Sequence, residues 1–428
     1  MSGSAVVDQM LGYVWKDLKG QGQPAIDVLR SGLSMQPDPS RGLDSARLNL
    51  ALSEVFAAEH NWGEAAACSQ AAAAAAAAEG AAAADLAGLA RLAAARTLLV
   101  AGRDADAAAA VATNGSKEDA VQLAQQLMVR HATAPLLPDA AAAASQQLQQ
   151  ALNSSSSSSS GGAHGVLLAV SHKVAGDLAL AQGELGTASS SFGTAQQLLG
   201  GSSSSDSSDS KALVFESDPG SCLSSRLQQE VAADVALGAA QVCMARKEWE
   251  ASEEHLSAAL AAAEAAGGEA GPGLAPVLLL LGSGYARSAR VMFAEGLLRE
   301  AAKVLGAAEP SRLVDKAASS SRQLAHPSLA AAVAWRYCQL LTALPNRGAE
   351  AATWGDAART LWQHAGRGFG IQGASRGSGG SGFTSLQEVL GDDVALTGKG
   401  QHGHGRGAVV SLLLRRLLPV ADAPKTGA

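Results

Sequence analysis

Aromatic side chains are scarce in this chain, at 4% of 428 residues, and charged residues reach only 17%, where about a quarter is usual. A chain so short of Phe, Tyr, Ile and Val lacks the material to fill a β-sandwich or a doubly wound sheet. The hydrophobic fraction of 47% is mostly methyl groups, because alanine alone supplies roughly a fifth of the residues. Alanine and leucine suit helices whose backbones approach closely, so an all-α fold is expected.

Cysteine and basic charge are equally sparse. The four cysteines, Cys68, Cys222, Cys243 and Cys338, stand far apart with no C-x-x-C pair, which indicates neither a zinc ribbon nor a disulfide framework and fits a reducing compartment. Cys68, Cys243 and Cys338 fall on helix faces where Cys acts as a small hydrophobe. With 32 Lys and Arg against 39 Asp and Glu, for a net charge of −7, no phosphate-neutralising surface is expected, and nucleic acid is set aside as a partner. The longest strongly apolar run, residues 275–281, is far below the roughly 20 residues that cross a bilayer, so no membrane span is expected. The N-terminal segment contains Asp8 and Asp17 and no continuous apolar stretch, unlike a secretory signal or an Arg-rich presequence. A cytoplasmic location is expected, with a mitochondrial or chloroplast one following if the true N-terminus is longer. The oligomeric state stays open.

Several stretches have nothing to bury. Residues 154–160 are serine followed by Gly161 and Gly162, and residues 200–210 mix Gly, Ser and Asp; both read as disordered insertions. Residues 366–382 and 398–407 have the same character. Tracts of this kind reflect a GC-rich genome more than selection for chemistry. The expected organisation is N-terminal repeats over 1–153, a Ser/Gly linker over 154–165, one repeat over 166–199, and a Ser/Asp insertion over 200–220. C-terminal repeats and a cap follow over 221–365, then a flexible Gly-rich tail over 366–428 in which residues 408–418 form a short helix.

Between the insertions one pattern recurs. Residues 48–72 form two amphipathic helical segments around a polar turn at 59–61, with Phe56 before the turn and Trp62, Ala65, Ser69 and Ala72 after it. Gly176, Ala179, Gly183, Leu185, Ala188, Phe192 and Ala195 repeat the spacing, as do Ala240, Cys243, Lys247, Trp249, Ser252, Leu256 and Ala259. Gly282, Tyr285, Ala289, Val291, Ala294, Leu298 and Ala301 give the clearest copy, and weaker copies centre on Ala25 and Ala107. A small residue early in the second helix lets it approach the first, and large residues such as Phe56, Phe192, Tyr285 and Leu298 fill the space between repeats. The marker residues stand 40 or 42 apart where copies adjoin. Wider gaps leave room for a degenerate repeat around 121–152 and for the insertion after Gly200.

These residues resemble a tetratricopeptide repeat. The unit exceeds the usual 34 residues, and with the run 285–301 and His326-Pro327 opening a later helix it resembles the kinesin-light-chain type, over roughly residues 11 to 365. The sustained apolar heptad with which a true light chain binds a motor is missing. The closing segment, Trp335 to Trp362, loosely resembles the end of plant-type proteins of this class, some of them organellar. The resemblance implies a right-handed superhelical solenoid of antiparallel helix pairs, about seven or eight of them.

No catalytic constellation emerges, and no enzyme, metal or cofactor is expected. The Gly-rich stretches lack the G-x-x-x-x-G-K-[ST] order of a phosphate loop and read as linkers. His402 and His404 have no carboxylate or thiol partner nearby. Glu248, Glu250, Glu253 and Glu254 read as a solvated helix start. Trp62 and Trp249 occupy equivalent repeat positions and read as packing, while Trp354 and Trp362 are placed to cap the array. In repeats of this family the first helices line an inner groove. Their non-packing, exposed positions are Arg47, Glu54, Arg96, Lys173, Asp177, Gln241 and Arg287. Four of these are basic in an acidic protein, which points to a protein or peptide partner carrying carboxylates; ordinary solvated helix faces are the plain alternative. A non-enzymatic interaction scaffold is expected, with an organellar assembly or maintenance factor as the second reading.

Overall fold

A chain rich in alanine and leucine, punctuated by short polar turns, forms helices wherever the turns leave room. The computed structural model describes residues 3–36, 42–112, 120–133, 138–155, 162–200, 225–269, 271–306, 308–318, 324–368 and 408–419. Among these, α1 (Gly3–Lys16) is followed by α2 (Gly22–Ser34), α3 (Leu43–Ala58) by α4 (Trp62–Ala78), and α5 (Ala84–Val100) by α6 (Asp104–Val111). Then come α7 (Ala120–Thr133) with α8 (Pro138–Ser155), α9 (Gly162–Ala181) with α10 (Leu185–Gly200), and α11 (Ser225–Arg246) with α12 (Trp249–Gly267). The series closes with α13 (Ala275–Arg287) and α14 (Val291–Val304), the lone α15 (Pro310–Ala318), and α16 (Pro327–Thr342) with α17 (Gly348–Gly368). From α1 to α14 helices adjacent in sequence pack on each other, after which α14 packs on α16, and α15 on α17 and α16. The protein is predominantly α-helical, built from neighbouring packed pairs, and no described helix is long and apolar enough to cross a membrane.

The recurring sequence pattern is a recurring turn. His60, Gly102, Gly183, Lys247 and Ala289 all hold positive φ, the left-handed conformation that ends a helix in a Schellman motif. In each case the next residue donates its backbone N–H five residues back: Asn61 to Phe56, Arg103 to Leu98, Glu184 to Ala179, Glu248 to Cys243 and Arg290 to Tyr285, at 2.8–2.9 Å. The carbonyl of that same residue then accepts from Ala65, Ala107, Ala188, Ser252 and Ala294, respectively. The five small marker residues therefore sit at one structural position and are buried. Before α17, Asn346 again holds positive φ and the Arg347 carbonyl accepts from Ala351 at 2.9 Å, a partial copy the sequence did not reveal.

Glycine serves close approach at one layer. Phe192 of α10 lies against Gly176 of α9 and Gly238 of α11, and a Cβ at either glycine would intrude on its ring. The alanine tract in α4 is half core: Ala72, Ala75 and Ala76 are buried while Ala71, Ala74, Ala77 and Ala78 are exposed. Three apolar clusters result. One spans α1 to α5, a second centres on α5 to α11, and a third runs from α11 to α17, where Trp354 meets Tyr337 edge-on at 4.9 Å.

Two sequence expectations need correction. Residues 408–418 form no helix; they belong to an antiparallel hairpin, β1 (Ala408–Ser411) and β2 (Arg416–Pro419), with Val410 opposite Leu417 and Ser411 opposite Arg416. Residues 409–418 are also buried, so this part of the expected flexible tail is core. Helices α8 and α9 enter the expected linker from both sides; residues 156–161, the insertion 201–224, Cys222, and His402 and His404 lie outside the described residues.

Candidate functional site

Polar residues spaced by four or seven along an apolar helix lie on one face, and buried polar groups need partners. Lys173 and Asp177 on α9, and Glu230, Asp234 and Gln241 on α11, are such sets, and all five are buried. Their partner is the hairpin. The Gln241 amide acts like a strand neighbour to β1: its Nε2 donates to the Val410 carbonyl at 3.0 Å and its Oε1 accepts from the Val410 N–H at 2.8 Å. Asp234 accepts from the Leu412 N–H at 2.6 Å and from the Ser411 hydroxyl at 3.0 Å. On the other edge Ser328 Oγ accepts from the Leu417 N–H at 3.1 Å, and the His326 N–H donates to the Arg415 carbonyl at 3.1 Å. Helix side chains thus complete both edges of the ribbon. Residues 408–411 and 416–419 are extended for this reason, which local sequence does not carry.

The charges interlock. Lys173 Nζ lies 2.7 Å from both Asp177 and Asp234 and 3.2 Å from Ser411 Oγ. Burial pulls its ammonium down, but the two carboxylates outweigh burial and the net shift is upward. One lysine cannot fully serve two buried carboxylates: burial pushes Asp177 up to about 7 against the opposing pull of Lys173. Glu230 pairs with Arg96 and with Arg226 at 3.4 Å, and lies 3.9 Å from Arg415. Burial raises it, yet the three guanidinium groups hold it below the ordinary carboxylate range.

The hairpin's arginines are fixed individually. Arg416, fully buried, grips both oxygens of Asp104 at 3.1 and 3.3 Å and lies 2.8 Å from His326 Nε2. On its other side His326 Nδ1 caps α16, lying 3.2 Å from the Ser328 backbone N and 2.8 Å from Ser328 Oγ. Burial, then Arg416, keep His326 well below its ordinary pKa and neutral. Arg415 donates to the Leu324 carbonyl at 3.1 Å and lies over the Trp62 ring at 5.3 Å.

Of the residues expected to line an open groove, Lys173 and Gln241 touch the hairpin, Asp177 braces Lys173, and Arg96 braces Glu230. The expectation that they are exposed is corrected: Glu54, Arg96, Lys173, Asp177 and Gln241 are all buried. Hence reversing Arg96 or Lys173 perturbs folding and is no silent probe of binding. Arg47 is half-buried and bound to Asp8 at 2.5 Å and Asp44 at 3.4 Å, whereas Arg287 is exposed and covers Trp249 at 5.5 Å. Asp104, Glu230, Asp234, His326 and Ser328 went unrecognised in the sequence. The one available signal was the acid and amide recurring along a single face of α11 in an otherwise apolar helix.

Compared with protein-family models and with curated proteins, the chain matches none. Its function is therefore argued from geometry alone. Among the described residues no three His, Cys, Asp or Glu side chains stand close enough to hold a metal ion. A cavity of about 550 Å³ beside Trp249 and Tyr285 has its polar groups turned on one another, Glu253 accepting from Tyr285 at 2.6 Å and from Arg290 at 3.3 Å. At the hairpin the Ser328 hydroxyl stands 2.8 Å from His326 Nδ1 and is taken up by the Leu417 N–H. The extended backbone that these side chains engage is the chain's own hairpin.

Proposed function

We propose that the protein is a non-enzymatic interaction scaffold of the tetratricopeptide-repeat type, whose helix pairs coil as a right-handed superhelix and whose inner groove binds a segment of a partner protein. The observation that carries this reading is the seating of β1 and β2 against α7, α9, α11 and α16, the first helices of their pairs. A face that already satisfies an extended backbone through Gln241, Asp234 and Ser328 has the chemistry for peptide capture. The recurrence of one turn and one buried small residue through five pairs supports the repeat class. Rigid stacking preorganises such a groove, so little ordering accompanies binding.

The test is to pan a random peptide library on the full-length chain and on full-length chain carrying Ser411→Ala and Arg416→Ala, which loosens the hairpin. Peptides are expected on at least the second form, and adding Gln241→Ala should abolish their capture. Failure of both forms to enrich any peptide, or capture indifferent to Gln241, would sink the reading.

A further inference from the structure

The hairpin shows in detail what the inner surface accepts. Its backbone is read by Gln241 on β1, by Asp234 at the turn and by Ser328 on β2, contacts that another hairpin of the same register can offer. Its side chains are read separately. Ser411 bridges Lys173 and Asp234, and Arg416 takes both oxygens of Asp104 and faces His326. The aliphatic residues divide by face as a strand's alternation requires. Val409 and Leu418 enter the central apolar cluster, while Val410 and Leu417, the next cross-strand pair, enter the C-terminal one.

An occupant must therefore present aliphatic side chains on two faces, a small hydroxyl, and a guanidinium that Asp104 can grip bidentately. A carboxylate-rich peptide does not fit. It would set like charge beside Asp104, Asp177, Asp234 and Glu230 in a buried site whose cations Lys173, Arg96 and Arg226 are already paired with those carboxylates. The surface thus selects the opposite charge from the one the basic residues of the sequence suggest.

The present occupant is tethered. It follows α17 on the same chain, and an intramolecular competitor is not diluted as a free partner is. We infer, on the reading of this surface as a peptide site, that its partner is a polypeptide segment with the chemistry of residues 409–418, a hydroxyl residue, an aliphatic run and an arginine pair, and that the hairpin is the intramolecular competitor such a partner displaces. The scaffold is self-occupied until a segment of that chemistry is abundant enough to exchange with it.

The experiment measures binding of a fluorescent synthetic peptide of residues 408–419 to full-length chain by anisotropy. The Ser411→Ala/Arg416→Ala chain should bind it about tenfold or more tightly than wild type, because the competitor is weakened and the receiving surface is intact. A peptide carrying Arg416→Glu should lose binding, and Asp104→Asn in the loosened chain should weaken it about tenfold. Equal affinity of the two chains, or indifference to the peptide's arginine, overturns the proposal. If library peptides bind the loosened chain while the 408–419 peptide does not, the proposal fails and the peptide-site reading survives; if nothing binds, both fail. Hydrogen exchange on wild-type chain needs no variant to fold. Saturating peptide should speed exchange of the Val410, Leu412 and Leu417 amides and leave the helices unchanged. If those amides open only together with the helix cores at every peptide concentration, the hairpin is permanent core and the proposal is overturned.

Discussion

At the residue scale, buried histidine and buried aspartate act in opposite directions. His131 on α7 is fully buried, and burial, with Lys173 adding to it, lowers its pKa from 6.5 to about 4. The folded state then binds fewer protons than the unfolded chain between those values. Stability is unaffected above pH 6.5 and falls as pH drops through that window, by roughly 2 kcal/mol at about pH 5. Asp177, raised from 3.8 to about 7, has the reverse sign: the folded state binds more protons, so stability rises as pH falls from 7 toward 3.8. Urea melts across this range should show that His131→Gln flattens the loss on acidification, whereas Asp177→Asn steepens it. If both variants track the wild-type slope, these two sites do not govern the acid response. The sequence singled out Asp177 only as a groove residue and His131 not at all, because a pKa is set by surroundings that α7, α9 and α11 supply jointly.

At the element scale, the close packing of helices depends on which methyl faces inward. Within the alanine tract of α4, Ala72 is fully buried and Ala74 exposed, although the residues are chemically identical. Ala72→Leu should overpack the contact between α4 and α5 and cost about 1–3 kcal/mol, while Ala74→Leu should stay within about 0.5 kcal/mol of wild type. Thermal denaturation decides this; equal tolerance would mean that α4 is rotated from the position described. The tract carries no amphipathic signal of its own, so its inward face could not be read from sequence. The turns were the opposite case. Ala65, Ala188 and Ala294 declared themselves because one left-handed residue followed by a five-back hydrogen bond repeats at fixed spacing. Local geometry of that kind is written locally.

At the scale of the whole molecule, the hairpin joins two apolar clusters that otherwise meet only along α11. Leu417, fully buried on the C-terminal face of the ribbon, makes a direct probe. Leu417→Ala should cost about 2–5 kcal/mol and shift the melting of helices far from it in sequence. A loss confined to the hairpin's own signals would show that the clusters do not communicate through it. By itself the sequence determined the helical class, the pairing of neighbouring helices, the turn positions and the small buried residues. Each follows from composition or from contacts within about 40 residues. Only the tertiary structure decided that residues 408–411 and 416–419 pair as strands and that Glu54, Arg96, Lys173, Asp177 and Gln241 are buried. Those outcomes depend on Gln241 reaching Val410, Ser328 reaching Leu417 and Asp104 reaching Arg416. Pairings across such distances leave no periodic trace in the sequence, because an extended segment takes its hydrogen-bond partners from wherever the fold brings them.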